Sequence, residues 1–103
     1  MSGKAPRRKG FSYEREVVNA AKDAGLYARR AYGSDGRSMG LHSEVDLIIG
    51  EMHLQAKRTA RVAAKFRPTE HVDGVVFRED RGRSFVMLPL ETLLTMLKRS
   101  DHA

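Results

Sequence analysis

Residues 45–57 read VDLIIGEMHLQAK, and this stretch narrows the possible folds more than any other in the chain. Two apolar, β-prone runs flank Gly50-Glu51, so the segment reads as a hairpin with strands over residues 44–49 and 52–58 joined by a two-residue turn. Side chains alternate along a strand. Glu44, Asp46 and Ile48 therefore share one face of the first strand, while His53, Gln55 and Lys57 share one face of the second, opposite Met52, Leu54 and Ala56. Gln55 and Lys57 are two residues apart on their strand, so their side chains project the same way, about 6 to 7 Å from each other. The most strand-like segment of the chain thus carries an acid near its start and an amide and an amine at its close.

The elements around the hairpin follow from period and punctuation. Ser12 is the expected N-cap of a helix that runs to Ala24 and is closed by Gly25. Val17, Ala20, Ala21 and Ala24 form its apolar stripe. Glu14 lies one turn before Val17 and Val18, on or beside that inward face, whereas Glu16 is rotated away. An acid on the buried side of a helix is costly unless something pairs with it. Leu26 to Tyr32 reads as a strand, and GSDGRSMGLHS after it, with three glycines and three serines, reads as a mobile loop. Thr59 to Phe66 suits a short helix ended before Pro68. Residues 72–78 and 84–88 suit a second hairpin around EDRGR, and Leu90, Leu93, Leu94 and Leu97 give a closing amphipathic helix. The expectation is an α/β domain with one mixed sheet covered by helices. It spans residues 11–99, with an arm over 1–10 and a short tail over 100–103.

Charge points to the class of partner. A chain of 103 residues supports one modest core, and without cysteine it has no disulfide and no thiolate zinc site. No apolar segment resembles a signal peptide or reaches the roughly 18 residues that cross a bilayer, so a soluble intracellular protein with no membrane partner is expected. The net charge of +6 favours polyanions, although a basic surface also serves solubility. MSGKAPRRKG carries Lys4, Arg7, Arg8 and Lys9 and no acid, which reads as a flexible basic arm able to hold phosphate, or simply as a disordered terminus.

The polar ends of the hairpin have a chemical reading and a plain one. An Asp46 carboxylate, the Gln55 amide oxygen and backbone carbonyls are hard oxygen donors, suited to a magnesium ion that keeps several of its waters. Lys57 then supplies a cation where a phosphoryl oxygen gains charge, and Glu14 supports the metal through water or holds a second ion. In the plain reading Asp46 and Lys57 form a cross-strand ion pair on a wet sheet face, worth little energy. The other candidates are weaker. His42, His53, His71 and His102 show no HxH or HExxH spacing, His53 fits a partly buried structural role as readily as a flanking one, and no GK[ST] follows Gly33, Gly36 and Gly40 to make a phosphate loop.

KGFSYEREVVNAAKDAGLYARRAYGSDGR, EVDLIIG and HLQAKR together resemble the archaeal-type Holliday junction resolvases of the PD-(D/E)xK nuclease superfamily, over residues 8–58. Lys9, Gly10, Glu14 and Arg15 meet the family's opening pattern, with Glu14 in the place of its helix-borne catalytic acid. Ser34, after Arg30, takes the place of the loop serine, Asp46 that of the motif aspartate and Lys57 that of the motif lysine. Val45 stands where the motif has proline and Gln55 where the family usually has Glu, and the stretch from Thr59 to His71 is short for the helix that usually follows the lysine strand.

The resemblance implies a restriction-endonuclease-like mixed five-stranded sheet flanked by helices. It implies a nuclease domain over 11–99 that cuts four-way DNA junctions by paired symmetric nicks, with Mg2+ or Mn2+ as cofactor. Asp46, Gln55, the Ala56 carbonyl and Glu14 would hold the metal, with Lys57 and Ser34 completing the catalytic set. Lys4, Arg7, Arg8, Lys9, Arg30, Arg37 and Arg58 would contact branched or double-stranded DNA, and a homodimer would deliver the two nicks. A related nuclease with another DNA target and a DNA-binding module without catalysis are the alternatives.

Overall fold

The computed structural model of the chain describes the backbone of residues 4–101 and the side chains of residues 13–33 and 35–100. The chain divides into two compact units, Met1–Arg58 and Thr59–Ala103.

The first unit is a helix and a three-stranded antiparallel sheet. Helix α1 (Lys4–Asp23) is followed by β1 (Ala28–Arg30), β2 (Leu47–Ile49) and β3 (Met52–Leu54), in the sheet order β1-β2-β3. The helix begins well before Ser12, the expected N-cap, and residues 4–10 belong to α1. Pro6 permits this, because in the first turn its missing N–H has no intrahelical partner to lose. Gly10 and Ser12 in a helix interior cost only about 1 kcal/mol or less each relative to alanine. At the other end the expected glycine cap is present. The Leu26 amide donates to the Ala21 carbonyl (3.0 Å) and the Gly25 amide to Lys22 (2.9 Å), with Gly25 at φ +83°. This is a Schellman closure, which needs a left-handed residue at that position.

Both hairpin strands pair as expected through the Gly50-Glu51 turn, in the register Leu47↔Leu54, Ile48↔His53 and Ile49↔Met52. Against β1 the register is Ala28↔Ile49 and Arg30↔Leu47. The core of this unit gathers Val17, Val18 and Ala21 from α1 with Leu26, Ala28, Leu47 and Ile49. Leu47 and Ile49 are fully buried and Ile48 half-buried, the alternation expected of a strand with one face packed on a helix.

In the second unit, β4 (Val75–Phe77) and β5 (Phe85–Met87) form an antiparallel hairpin, and α2 (Leu90–Asp101) follows. Phe66, Phe77 and Phe85 stack in a row, with ring centroids 4.5 and 6.1 Å apart. Leu94 is the buried member of the leucine stripe on α2. This helix carries Ser100 and Asp101, which the sequence places in a tail.

The architecture is α/β, but it is not one mixed five-stranded sheet. The described strands form two sheets, of three and two strands, and each pairing is antiparallel. A parallel pairing needs a long crossover, usually helical, and the segment between β3 and β4 forms only the 3-10 turn Ala64–Phe66. The expected helix from Thr59 fails for a local reason. Ala63, at ψ 134°, leaves the helical conformation in the middle of the expected span, so that only Ala64–Phe66 turns, and Arg67, which precedes Pro68, is extended at ψ 122°. Among the described residues no helix is long and apolar enough to cross a membrane.

Candidate active site

Asp46 ties the three strands of the first unit together. Its carbonyl accepts from the Ala31 amide (2.9 Å) and its own amide donates to the Leu54 carbonyl (2.9 Å). The Leu47↔Leu54 register would place Asp46 opposite Gln55, so this last bond is one residue out of step and the ladder ends there. The side chain takes over where the backbone leaves off: the Ala56 amide donates to Asp46 Oδ2 at 2.8 Å. That bond explains why β3 stops at Leu54 with its polar backbone still satisfied. It also fixes the acid against the peptide that joins Gln55 to Lys57.

Asp46 is 9% exposed and Glu14, on α1, is 4% exposed; these are the buried charged residues of the described chain. Helix α1 packs against β1 and β2, so both carboxylates belong to the same unit. Among the described residues every buried side-chain nitrogen or oxygen has a hydrogen-bond partner, which removes the largest part of the burial penalty. Gln55, Lys57 and Arg58 are exposed and lie beyond the end of β3 at Leu54, not within a strand reaching Arg58 as expected. Among the described residues Lys57 has no carboxylate within 4.0 Å, so the cross-strand ion pair with Asp46 does not form. His53 is exposed, not partly buried, because its partner across the ladder is Ile48 on the less covered face.

The segment expected to be an irregular loop is folded into two 3-10 turns, Tyr32–Ser34 and Gly36–Met39. Asp35 organises it. Its carboxylate accepts from the Arg37 amide (3.0 Å) and from Arg37 Nε (2.9 Å to Oδ2), and its carbonyl accepts from Ser38 Oγ (3.1 Å), which in turn accepts from the Tyr32 amide (3.1 Å). The hydrogen bond from the Arg37 guanidinium, reinforced by the Arg37 amide, holds the Asp35 carboxyl below its ordinary pKa, and the same pairing raises that of Arg37. Gly36 is buried against the start of β2; a Cβ there would stand 2.2 Å from the His42 carbonyl oxygen and 2.8 Å from Val45 Cβ. The signal for this order is in the sequence: Asp35-Gly36 is a turn pair, and an acid two residues before an arginine suits an Asx-type cap.

The other expected site residues are placed as follows. Arg30 ends β1, half-buried, and Arg37 is exposed in the turn. The side chains of Ser34, Lys4, Arg7, Arg8 and Lys9 lie outside the described residues. Among the described residues no three of His, Cys, Asp and Glu come together as a metal-holding group. A closed cage of protein ligands is therefore absent there, and any ion held by Asp46, Glu14, the Gln55 amide and the Ala56 carbonyl would keep much of its water. Compared with known protein families, curated proteins and solved structures, the chain matches none.

Proposed function

We propose that the chain is a magnesium-dependent, structure-selective DNA endonuclease that resolves four-way junctions by paired symmetric nicks. The observation that carries this reading is the hydrogen bond from the Ala56 amide to the buried Asp46 carboxylate. It seats one hard anionic donor beside the Gln55–Lys57 segment, and such a set suits a hydrated dication with few protein ligands. The restriction-endonuclease-like core belongs to the same proposal. It is supported by the order helix, strand, hairpin, with Glu14 on the helix, Asp46 just before β2, and Gln55 and Lys57 just after β3.

In this mechanism Asp46, Gln55, the Ala56 carbonyl and Glu14 hold Mg2+, with Mn2+ as its substitute. Bound magnesium polarises the scissile phosphate and makes its waters more acidic. Lys57, exposed and without a carboxylate partner among the described residues, stabilises the charge that gathers on the phosphoryl oxygens. Arg30, Arg37, Arg58, Ser34 and the cations of α1 (Lys4, Arg7, Arg8 and Lys9) position the DNA backbone, which sets register without reading sequence. Two symmetric nicks call for a two-fold homodimer.

The test is nicking of a labelled four-way junction and of a linear duplex of the same arms, with and without magnesium. Metal-dependent cutting of the junction alone is expected, abolished in Asp46→Ala and Lys57→Ala while junction binding stays within a few-fold. Equal cutting of both substrates would make the chain a related nuclease with another target. A second reading, a DNA-binding module without catalysis, is favoured by Gln55 in place of an acid and by the lack of a three-carboxylate group among the described residues. Binding without any cutting would establish it.

A further inference from the structure

The second unit opens on a basic stretch that the nuclease reading leaves unused. From Thr59 to Thr69 the chain has no acid, and it carries Arg61, Lys65 and Arg67. Residues 59–65 and Arg67 are exposed, and the only regular structure here is the Ala64–Phe66 turn. The segment is nonetheless curled. Thr59 Oγ1 donates to the Arg61 carbonyl (3.3 Å), the Phe66 amide to Ala63 (3.0 Å) and the Arg67 amide to Ala64 (3.1 Å). The curl wraps a concavity of about 620 Å³ whose lining includes Arg61, Arg67, Thr59, Val62 and Ala63. Among the described residues neither Arg61 nor Arg67 has a carboxylate within 4.0 Å.

Two exposed guanidiniums without carboxylate partners on the rim of a small-residue concavity make a poor core and a good anion seat. Guanidinium forks match phosphate oxygens in pairs, and small side chains between them let a backbone approach closely. Lys65 is turned to a different task, its ammonium lying 5.2 Å from the Phe66 ring centre. The charge decides the occupant. A stretch with three cations and no acid favours a repeating anion over a single small ligand, because each phosphate neutralised along a strand releases a counterion.

We propose that the Thr59–Arg67 concavity is a second DNA-backbone contact, in which Arg61 and Arg67 each take one phosphate of the strand. This rests on DNA being the partner but not on the chain cutting it. The role is to add affinity and register at a distance from the chemistry along the chain, so these arginines contribute to binding and not to the nicking step.

The experiment measures affinity for a fluorescent DNA duplex between 50 and 200 mM salt, using the full chain and the double variants Arg61→Ala/Arg67→Ala and Arg61→Lys/Arg67→Lys. Two lost phosphate contacts should flatten the slope of log K against log salt by about 1.8, so the wild type should lose roughly tenfold more affinity over that range than the alanine variant. The lysine variant should keep most of the slope. Both variants should unfold as the wild type does, since the side chains are exposed. An alanine variant with the wild-type slope would overturn the proposal, as would an equal loss of binding to DNA and to poly-glutamate, which would mark an indifferent polyanion surface. Nicking by wild-type protein at saturating DNA separates the two readings. Normal cutting with an unchanged slope refutes only the second contact, and a flattened slope without cutting refutes only the nuclease.

Discussion

Replacing Asp46 separates what this residue does for the fold from what it does for the proposed chemistry. In Asp46→Ala the Ala56 amide loses the acceptor it has at 2.8 Å, in a part-buried setting where water reaches it poorly. A hydrogen bond to a charged group contributes about 1.5 to 3 kcal/mol, and a stranded buried donor costs about 1 to 3, so a loss near 2 kcal/mol is expected. For a domain of this size that lowers Tm by roughly 8 to 16 °C. Asp46→Asn keeps a carbonyl oxygen of the same reach and should cost less than about 1 kcal/mol, because a neutral bond replaces a charge-assisted one. Thermal melts give the first quantity, and hydrogen exchange at the Ala56 amide locates it. Nicking of junction DNA should fall by at least about a hundredfold in both variants, since each removes the anionic donor seated beside the Gln55–Lys57 segment. If Asp46→Ala melts within about 2 °C of wild type and Ala56 exchanges no faster, the strand-tying role is wrong.

Other perturbations follow from single contacts. Gly36→Ala drives a Cβ to 2.2 Å from the His42 carbonyl oxygen and should cost about 1 to 3 kcal/mol or more, read as a lower urea midpoint at unchanged m-value. Asp35 titrates below its ordinary pKa in the folded chain, so its pairing with Arg37 adds stability above the unfolded value and loses it as pH falls through the folded one. Wild type and Asp35→Asn should therefore differ in Tm by a constant amount above about pH 5 and draw together only as pH falls below the ordinary carboxylate range; a difference that persists in strong acid would contradict the pairing. Gln55→Glu should lower the magnesium needed for half-maximal nicking, whereas Gln55→Leu should lose most activity, and a leucine variant that cuts normally would show that Gln55 is no ligand. Deleting residues 1–9 should flatten the salt slope of DNA binding by roughly 3 to 4, one step for each of Lys4, Arg7, Arg8 and Lys9 that touches phosphate.

Where local pattern sufficed, the sequence was a good guide. The hairpin turn at Gly50-Glu51, the glycine closure of α1 and the leucine stripe of α2 each depend on a few neighbouring residues. What escaped depended on context. Gly10 and Ser12 read as a boundary because each disfavours a helix alone, but two small penalties do not outweigh continuation of an existing helix. The turns over residues 32–39 read as irregular because serines, glycines and an aspartate carry no apolar period. Their order comes from side chains bonding to backbone, which periodicity does not register. Joining all five strands into one sheet needed long-range pairing, and no local signal in three-residue strands specifies that.

The site divides along the same line. That Glu14 is buried was foreshadowed, since it lies one turn before Val17 and Val18 on the apolar face of its helix; that Asp46 is buried was not, since the strand period groups it with Ile48 on the less covered face. That Asp46 bonds the Ala56 amide was not, because it follows from a one-residue offset at the end of the ladder. This offset bears on the chemistry as well as on the fold. In an unbroken ladder Asp46 would stand opposite Gln55, and its side chain would be free to reach for Lys57, as the ion-pair reading supposes. With one carboxylate oxygen committed to Ala56, the acid is anchored to the backbone and the lysine remains exposed without a carboxylate partner among the described residues. An anion bonded to the Ala56 amide and a cation on the next residue, not neutralising one another, suit a ligand that carries both signs, such as a phosphodiester with its counter-cation. That is why the decisive comparison is Asp46→Asn: it leaves the anchor in place and removes only the charge.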